Sequence, residues 1–105
     1  MKIITVCGSR KFKNEMAQAA LELELRGNVV LMPIFPPDDD VQFDENEADI
    51  LGKMHKEKIK ISDAIFVADI NGYIGESTKS EIELAKSLNK EIIYYSDIMQ
   101  GDKDD

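Results

Sequence analysis

The sequence predicts an α/β domain: a small doubly wound parallel sheet of strand order 2-1-3-4 with helices on both faces. Three observations predict it. Four short β-branched or apolar segments alternate with three helical patterns, in the order β-α-β-α-β-α-β. Two of the strand segments, Ile3-Ile4-Thr5-Val6 and Ala64-Ile65-Phe66-Val67-Ala68, carry apolar residues on both faces, as a strand covered by helices on both sides must. The segments between strands are long enough for right-handed crossovers, so neighbouring strands run parallel.

The strands are read as Ile3–Cys7, Asn28–Met32, Ala64–Ala68 and Glu91–Tyr95. The first helix is read over Asn14–Arg26, where Met16, Ala19, Ala20 and Leu23 fall at i, i+3, i+4 and i+7 and form one buried stripe. Gly27 stops it. The second helix is read over Glu47–Ser62, with Leu51, Met54 and Ile61 on its inner side. The third is read over Thr78–Leu88, with Ile82, Ala85 and Leu88 inward and Asn89-Lys90 at its end. Pro33–Asn46 reads as a loop, because it holds Pro33, Pro36, Pro37 and the run Asp38-Asp39-Asp40. The domain is expected to occupy residues 1–96, followed by an acidic tail over 97–105 whose Gly101–Asp105 end is polar and frayed. No internal repeat is visible.

Composition bounds the function. The 105 residues fit one domain with a modest core, so a homo-oligomer, a dimer or higher, is expected. A net charge of −8, from 21 acidic and 13 basic residues, argues against bulk nucleic acid, because a phosphate backbone needs a basic face. A small anion in one local pocket is compatible with it. Cys7 is the single cysteine, so no intramolecular disulfide can form. The apolar start Ile3–Cys7 is too short for a signal peptide, and no run approaches the roughly 18 apolar residues of a membrane span. A reducing cytoplasm and no membrane partner are therefore expected.

In a doubly wound sheet, ligands bind at the carboxyl ends of the strands, where strand order reverses. Here that point falls between strands one and three, beside the loops Gly8–Lys13 and Asp69–Ser77. In the first loop, Gly8 lets backbone approach a ligand, while the Ser9 hydroxyl and the Arg10 guanidinium suit an anion. The same residues also fit a plain βα turn. The loop matches neither the phosphate-binding GxxxxGK[ST] pattern nor GxGxxG. The second loop, Asp69 to Thr78, sets Gly72, Gly75, Ser77 and Thr78 ahead of a helix, a cradle for a sugar or phosphate, with Tyr73 placed to stack on a base.

On the helix that follows, Glu81 and Glu83 lie about 200° apart. Glu81 shares the inward stripe of Ala85 and Leu88, whereas Glu83 faces solvent. An inward carboxylate one turn into the helix suits a nucleophile or base toward a bound sugar. Thr78-Lys79-Ser80-Glu81 equally fits a capping box, in which the glutamate serves only the Thr78 amide. His55, with Lys58 and Ile59 at i+3 and i+4, suits proton handling if it faces the strand ends, and a solvated surface if it does not. The acid-rich Asp38–Asp49 stretch lacks calcium-loop spacing and reads as solvated loop. No zinc spacing, cofactor motif or Ser-His-Asp arrangement is present, so no metal and no cofactor are expected.

These landmarks resemble the nucleoside 2-deoxyribosyltransferase-like superfamily, which includes the 2′-deoxynucleoside 5′-phosphate N-hydrolases. The resemblance runs from Ile3 to about Tyr95. It is carried by Gly8-Ser9, His55-Lys56-Glu57-Lys58-Ile59, Asp63, Gly72-Tyr73-Ile74-Gly75-Glu76-Ser77-Thr78, Glu81-Ile82 and Ala85, a pattern similar to that of small bacterial and phage members. It implies that Glu81 attacks an anomeric carbon, that Gly8-Ser9 lies by the substrate, and that the Ser77 region holds sugar or phosphate. The implied substrate is a small nucleoside or its 5′-monophosphate, cleaved or transferred at the N-glycosidic bond, in a site often completed by a neighbouring subunit. The other reading is a non-catalytic nucleotide-binding or sensing module of the same fold. Two positions depart from the active transferases: His55 stands where they carry an aspartate, and Lys79-Ser80-Glu81-Ile82-Glu83 replaces their Gly-x-Glu-x-Gly.

Overall fold

The computed structural model describes residues 1–98. Its strands are β1 (Ile3–Cys7), β2 (Val29–Leu31), β3 (Ala64–Val67) and β4 (Glu91–Tyr94), and its helices α1 (Lys13–Leu25), α2 (Glu45–Ile61), α3 (Glu76–Ser87) and the short α4 (Tyr95–Ile98). The four strands form one sheet of order β2-β1-β3-β4, parallel throughout, as the sequence predicts. Each strand is trimmed by at most two residues relative to the reading above, within ordinary boundary scatter.

Side chains alternate across the sheet and so divide the core into two layers. Ile4 and Val6 of β1, with Ala64 and Phe66 of β3, pack against Met16, Ala19 and Leu23 of α1. Cys7, Ile65 and Val67 face the other way, against Ile59 of α2 and Ile82 and Ala85 of α3. Helix α1, with the short α4, thus covers one face, and α2 and α3 cover the other. The crossover from β2 through α2 to β3 passes over β1, which places the reversal of strand order between β1 and β3.

Local chemistry sets where the helices begin and end. Gly27 adopts φ of 95°, where a side chain would be strained, and stops the chain after α1. Helix α2 starts two residues earlier than expected, because Asp44 and Glu47 form a reciprocal capping box. Helix α3 also starts early, at Glu76 with Gly75 as its N-cap. Thr78 therefore lies inside the helix and is buried, and the capping box read at Thr78–Glu81 does not form.

The expected inner stripe of α2 is corrected. Met54 and Ile61 are 50% and 66% exposed, and the buried positions are His55, Ile59 and Ser62. Those three fall at i, i+4 and i+7, and the two polar ones find partners on β1. The Ser62 hydroxyl lies 2.6 Å from that of Thr5, and His55 reaches Cys7. Apolarity alone picked the wrong face. Leu88 is likewise 40% exposed at the C-cap of α3 rather than inward. The expected tail boundary falls within α4, and residues 99–105 lie outside the described residues. Among the described residues, no helix is long and apolar enough to cross a membrane.

A candidate active site at the reversal of strand order

Three side chains from three elements meet above the carboxyl end of β1. Cys7 closes β1 and points to the α2–α3 face. His55 projects from the inner face of α2, and Glu81 from the second turn of α3. The Cys7 Sγ lies 3.5 Å from His55 Nε2, and the same nitrogen lies 3.5 Å from Glu81 Oε1. The thiol is fully buried, while the imidazole and carboxylate side chains are 8% and 16% exposed. His55 Nδ1 has no hydrogen-bond partner among the described residues.

Burial sets the protonation states. It pushes the Glu81 carboxyl up to about 7, against the opposing pull of the Cys7 hydrogen bond and the Lys56 charge. Burial, helped by the positive charge of Lys58, brings His55 down to about 4. Burial and the adjacent Glu81 push the Cys7 thiol well up. At neutral pH the cluster therefore holds a thiol, a neutral imidazole and a glutamate poised between acid and carboxylate, which makes it a candidate site.

Glu81 is shared by two adjoining clefts. One, of about 300 Å³, is walled by Asp49, Gly52, Lys53 and Lys56 of α2 and by Ser77 and Ser80 of α3. The other, of about 220 Å³, is walled by Gly8, by Pro33-Ile34-Phe35 and Phe43 of the loop after β2, and by His55. Together they present one charged, hydroxyl-rich end, where Lys53 and Lys56 stand with Asp49, and one apolar end, with Glu81 shared by both.

Of the residues singled out in the sequence, Gly8, His55, Ser77 and Glu81 meet at these clefts. Gly8 also has a packing reason to be glycine. A Cβ there would stand 2.8 Å from Met16 Sδ and 2.9 Å from the Ala68 methyl. We expect Gly8→Ala to lower unfolding stability by about 1–3 kcal/mol through overpacking, measured by urea titration; an unchanged midpoint would remove the packing explanation.

The others sit elsewhere. Ser9 caps the short Arg10–Phe12 turn by accepting from the Lys11 amide. The Arg10 guanidinium donates to the carbonyls of Val41 and Asp38, so it pins the loop that carries Phe35 and Phe43 rather than pointing into the cleft. Asp69 accepts from the Ser96 amide and hydroxyl at 2.9 and 2.6 Å and anchors α4. Gly72 adopts φ of 78° in a tight turn. Tyr73 packs edge-on against Phe12 at 5.8 Å, with the Lys11 ammonium 3.4 Å from its ring centroid, and borders neither cleft. Gly75 caps α3, and Thr78 is buried beneath it.

The wall formed by Ala48, Asp49, Gly52, Lys53 and Lys56 was missed in the sequence. Its signal was the small residues Ala48 and Gly52 at i and i+4, which open space along one face of α2.

No protein-family model and no curated protein sequence matches the chain. Solved structures do. A CMP N-glycosidase of Clostridium botulinum superposes with a TM-score of 0.59 at 20% identity, covering 89% of this chain and 70% of that one. A 2-deoxyribosyltransferase of Leishmania mexicana superposes with a TM-score of 0.57 at 20% identity, covering 90% of this chain and 63% of that one. The chain thus shares the fold of these two proteins: a parallel four-stranded sheet of order 2-1-3-4 flanked by helices on both faces.

Proposed function

We propose that the chain belongs to the nucleoside 2-deoxyribosyltransferase-like superfamily and cleaves or transfers at the N-glycosidic bond of a nucleoside 5′-monophosphate, with Glu81 as nucleophile. The carrying observation is the placement of Glu81: a largely buried carboxyl beside a neutral imidazole, opening onto both clefts, with a pKa of about 7. The likeness to the two glycosyl-bond enzymes supports the same reading.

The reaction divides into two displacements. In the first, a Glu81 oxygen bonds to the anomeric carbon as the carbon–nitrogen bond breaks, and the bond electrons leave with the base, which takes up a proton from solvent. In the second, a water or an acceptor base attacks the anomeric carbon and Glu81 departs as carboxylate. His55 is neutral across the working range, so it assists as a neutral imidazole rather than as a cationic acid: its Nε2 faces both Cys7 and Glu81 and, in any one tautomer, either accepts from the thiol or donates to the carboxylate.

The two clefts fit the two ends of a nucleotide. Lys53, Lys56, Ser77 and Ser80 offer charge and hydroxyls to a phosphate, and Phe35, Phe43 and Ile34 offer apolar surface to a base. Neither lysine forms an ion pair among the described residues, which leaves both ammonium groups available. The test is base release from paired nucleosides and 5′-monophosphates. We expect Lys53→Ala combined with Lys56→Ala to raise KM for the monophosphate about tenfold or more while leaving the nucleoside nearly unchanged. An equal loss on both substrates would remove the phosphate assignment.

A second reading, a nucleotide-binding module without turnover, draws on the same carboxyl. At neutral pH part of the population carries Glu81 as a neutral acid, which can both donate to and accept from a sugar hydroxyl. Thermal stabilisation by a monophosphate without base release would favour it.

A further inference from the structure

The nucleophile reading makes and breaks bonds on only one member of the Cys7–His55–Glu81 cluster, yet the three donor atoms are a ligand set in their own right. Sγ, Nε2 and one Glu81 oxygen all lie within 4.8 Å of one another. Zinc bonds of about 2.3 Å to sulfur and about 2.0–2.2 Å to nitrogen or oxygen place neighbouring ligands of a tetrahedron roughly 3.4–3.6 Å apart. The two contacts through His55 Nε2 are each 3.5 Å. The third edge, from Sγ to the Glu81 oxygen, is no longer than 4.8 Å and closes to bonding separation as the Glu81 side chain turns.

We infer that Cys7, His55 and Glu81 form a three-ligand site for a borderline-soft divalent cation of the zinc class, with its fourth position open to the cleft lined by Gly8 and Phe43. The donor set selects for such an ion. A thiolate and an imidazole favour zinc, cobalt or copper over magnesium or calcium, which prefer all-oxygen shells. Charge supports it as well. A thiolate and a carboxylate neutralise a dication, so the filled site carries no net charge into a buried location. The cleft that exposes His55 and Glu81 supplies the entry path. Binding releases the thiol proton, together with the Glu81 proton in molecules that carry one.

The ligands come from residues 7, 55 and 81, on β1, α2 and α3, so no short spacing in the sequence announces them. A consequence rests on the function proposed above. A cation on Glu81 removes the oxygen that attacks the anomeric carbon, so the metal and the glycosyl group compete for one carboxylate, and the metal inhibits.

The site is tested on the full chain, reduced and stripped with a chelator, by titration with cobalt(II) and zinc(II). We expect one equivalent of cobalt to give a thiolate charge-transfer absorption, and zinc to bleach it. Cys7→Ser abolishes the band while retaining the far-ultraviolet circular dichroism and cooperative melting of the parent. His55→Gln weakens zinc binding by about 100-fold or more in competition with a chromophoric chelator. No charge-transfer band in the parent, or unchanged zinc affinity in His55→Gln, overturns the site. Zinc inhibition of base release is a separate readout. Binding without inhibition leaves the metal site standing and overturns the role of Glu81, whereas a chain that releases no base still yields the cobalt spectrum that decides the site.

Discussion

Glu81→Gln is expected to lower base release by about 10³–10⁵-fold while leaving the fold intact. The amide keeps the size of the side chain and can still contact Cys7 and His55, but it has no anionic oxygen to bond to the anomeric carbon. Glu83→Gln is the matched control, because Glu83 is exposed on the opposite face of α3 and makes only an exposed ion pair with Lys86; its turnover should stay within about twofold. The pH profile adds a second criterion. The nucleophile must be ionised, and burial holds Glu81 up to about 7, so kcat/KM in the wild type should rise with pH and level off above about that value. Full turnover in Glu81→Gln, or a rate that is flat from pH 5 to pH 8, would falsify the assignment.

The inward direction of Glu81 was legible in the sequence because one strong neighbour fixed it. Ala85 lies one turn further along the same stripe and is buried. The sheet order was legible for a similar reason: β1 and β3 carry β-branched and apolar residues over nearly their whole length, and only a central parallel strand accommodates that.

His55 was harder to place. It sits among Lys53, Lys56, Glu57 and Lys58, which reads as a solvated face. Its burial follows from partners contributed by β1 and α3, and no local pattern on α2 encodes them. Ile59, one turn after His55, was the available signal, but Met54 and Ile61 offered more apolar surface and misled the reading. The capping box was misassigned for a related reason. Thr78-x-x-Glu81 and Asp44-x-x-Glu47 both satisfy the pattern, and tertiary placement decides between them: Thr78 packs into the core, while Asp44 stands free at the end of a loop to receive the Glu47 amide. The clefts depend on the loop after β2 and on the first half of α2, whose approach to α3 is a property of packing rather than of either segment alone.

The same buried pair should be visible in stability measured against pH. Glu81 is raised in the folded chain from 4.5 to about 7, so between those values the folded state holds a proton that the unfolded state has lost. Its contribution to stability therefore falls as pH rises through that window, by about 3 kcal/mol in all. His55 is lowered from 6.5 to about 4, so the unfolded state gains a proton that the folded state refuses, and its contribution falls as pH drops through that window by a similar amount. Between about 4.5 and 6.5 the two slopes oppose each other, and the pair adds little net pH dependence. Glu81→Gln removes one slope and leaves the other, since the His55 shift comes from burial and Lys58 rather than from Glu81. The variant should therefore gain stability relative to wild type as pH rises from about 4.5 to about 7, reaching a relative gain of about 3 kcal/mol. Taking the difference between two urea-unfolding series cancels the titration of the exposed carboxylates, which both proteins share. A difference that does not change with pH would mean that Glu81 is solvated in the folded chain. The poised carboxyl on which the nucleophile reading depends would then be absent.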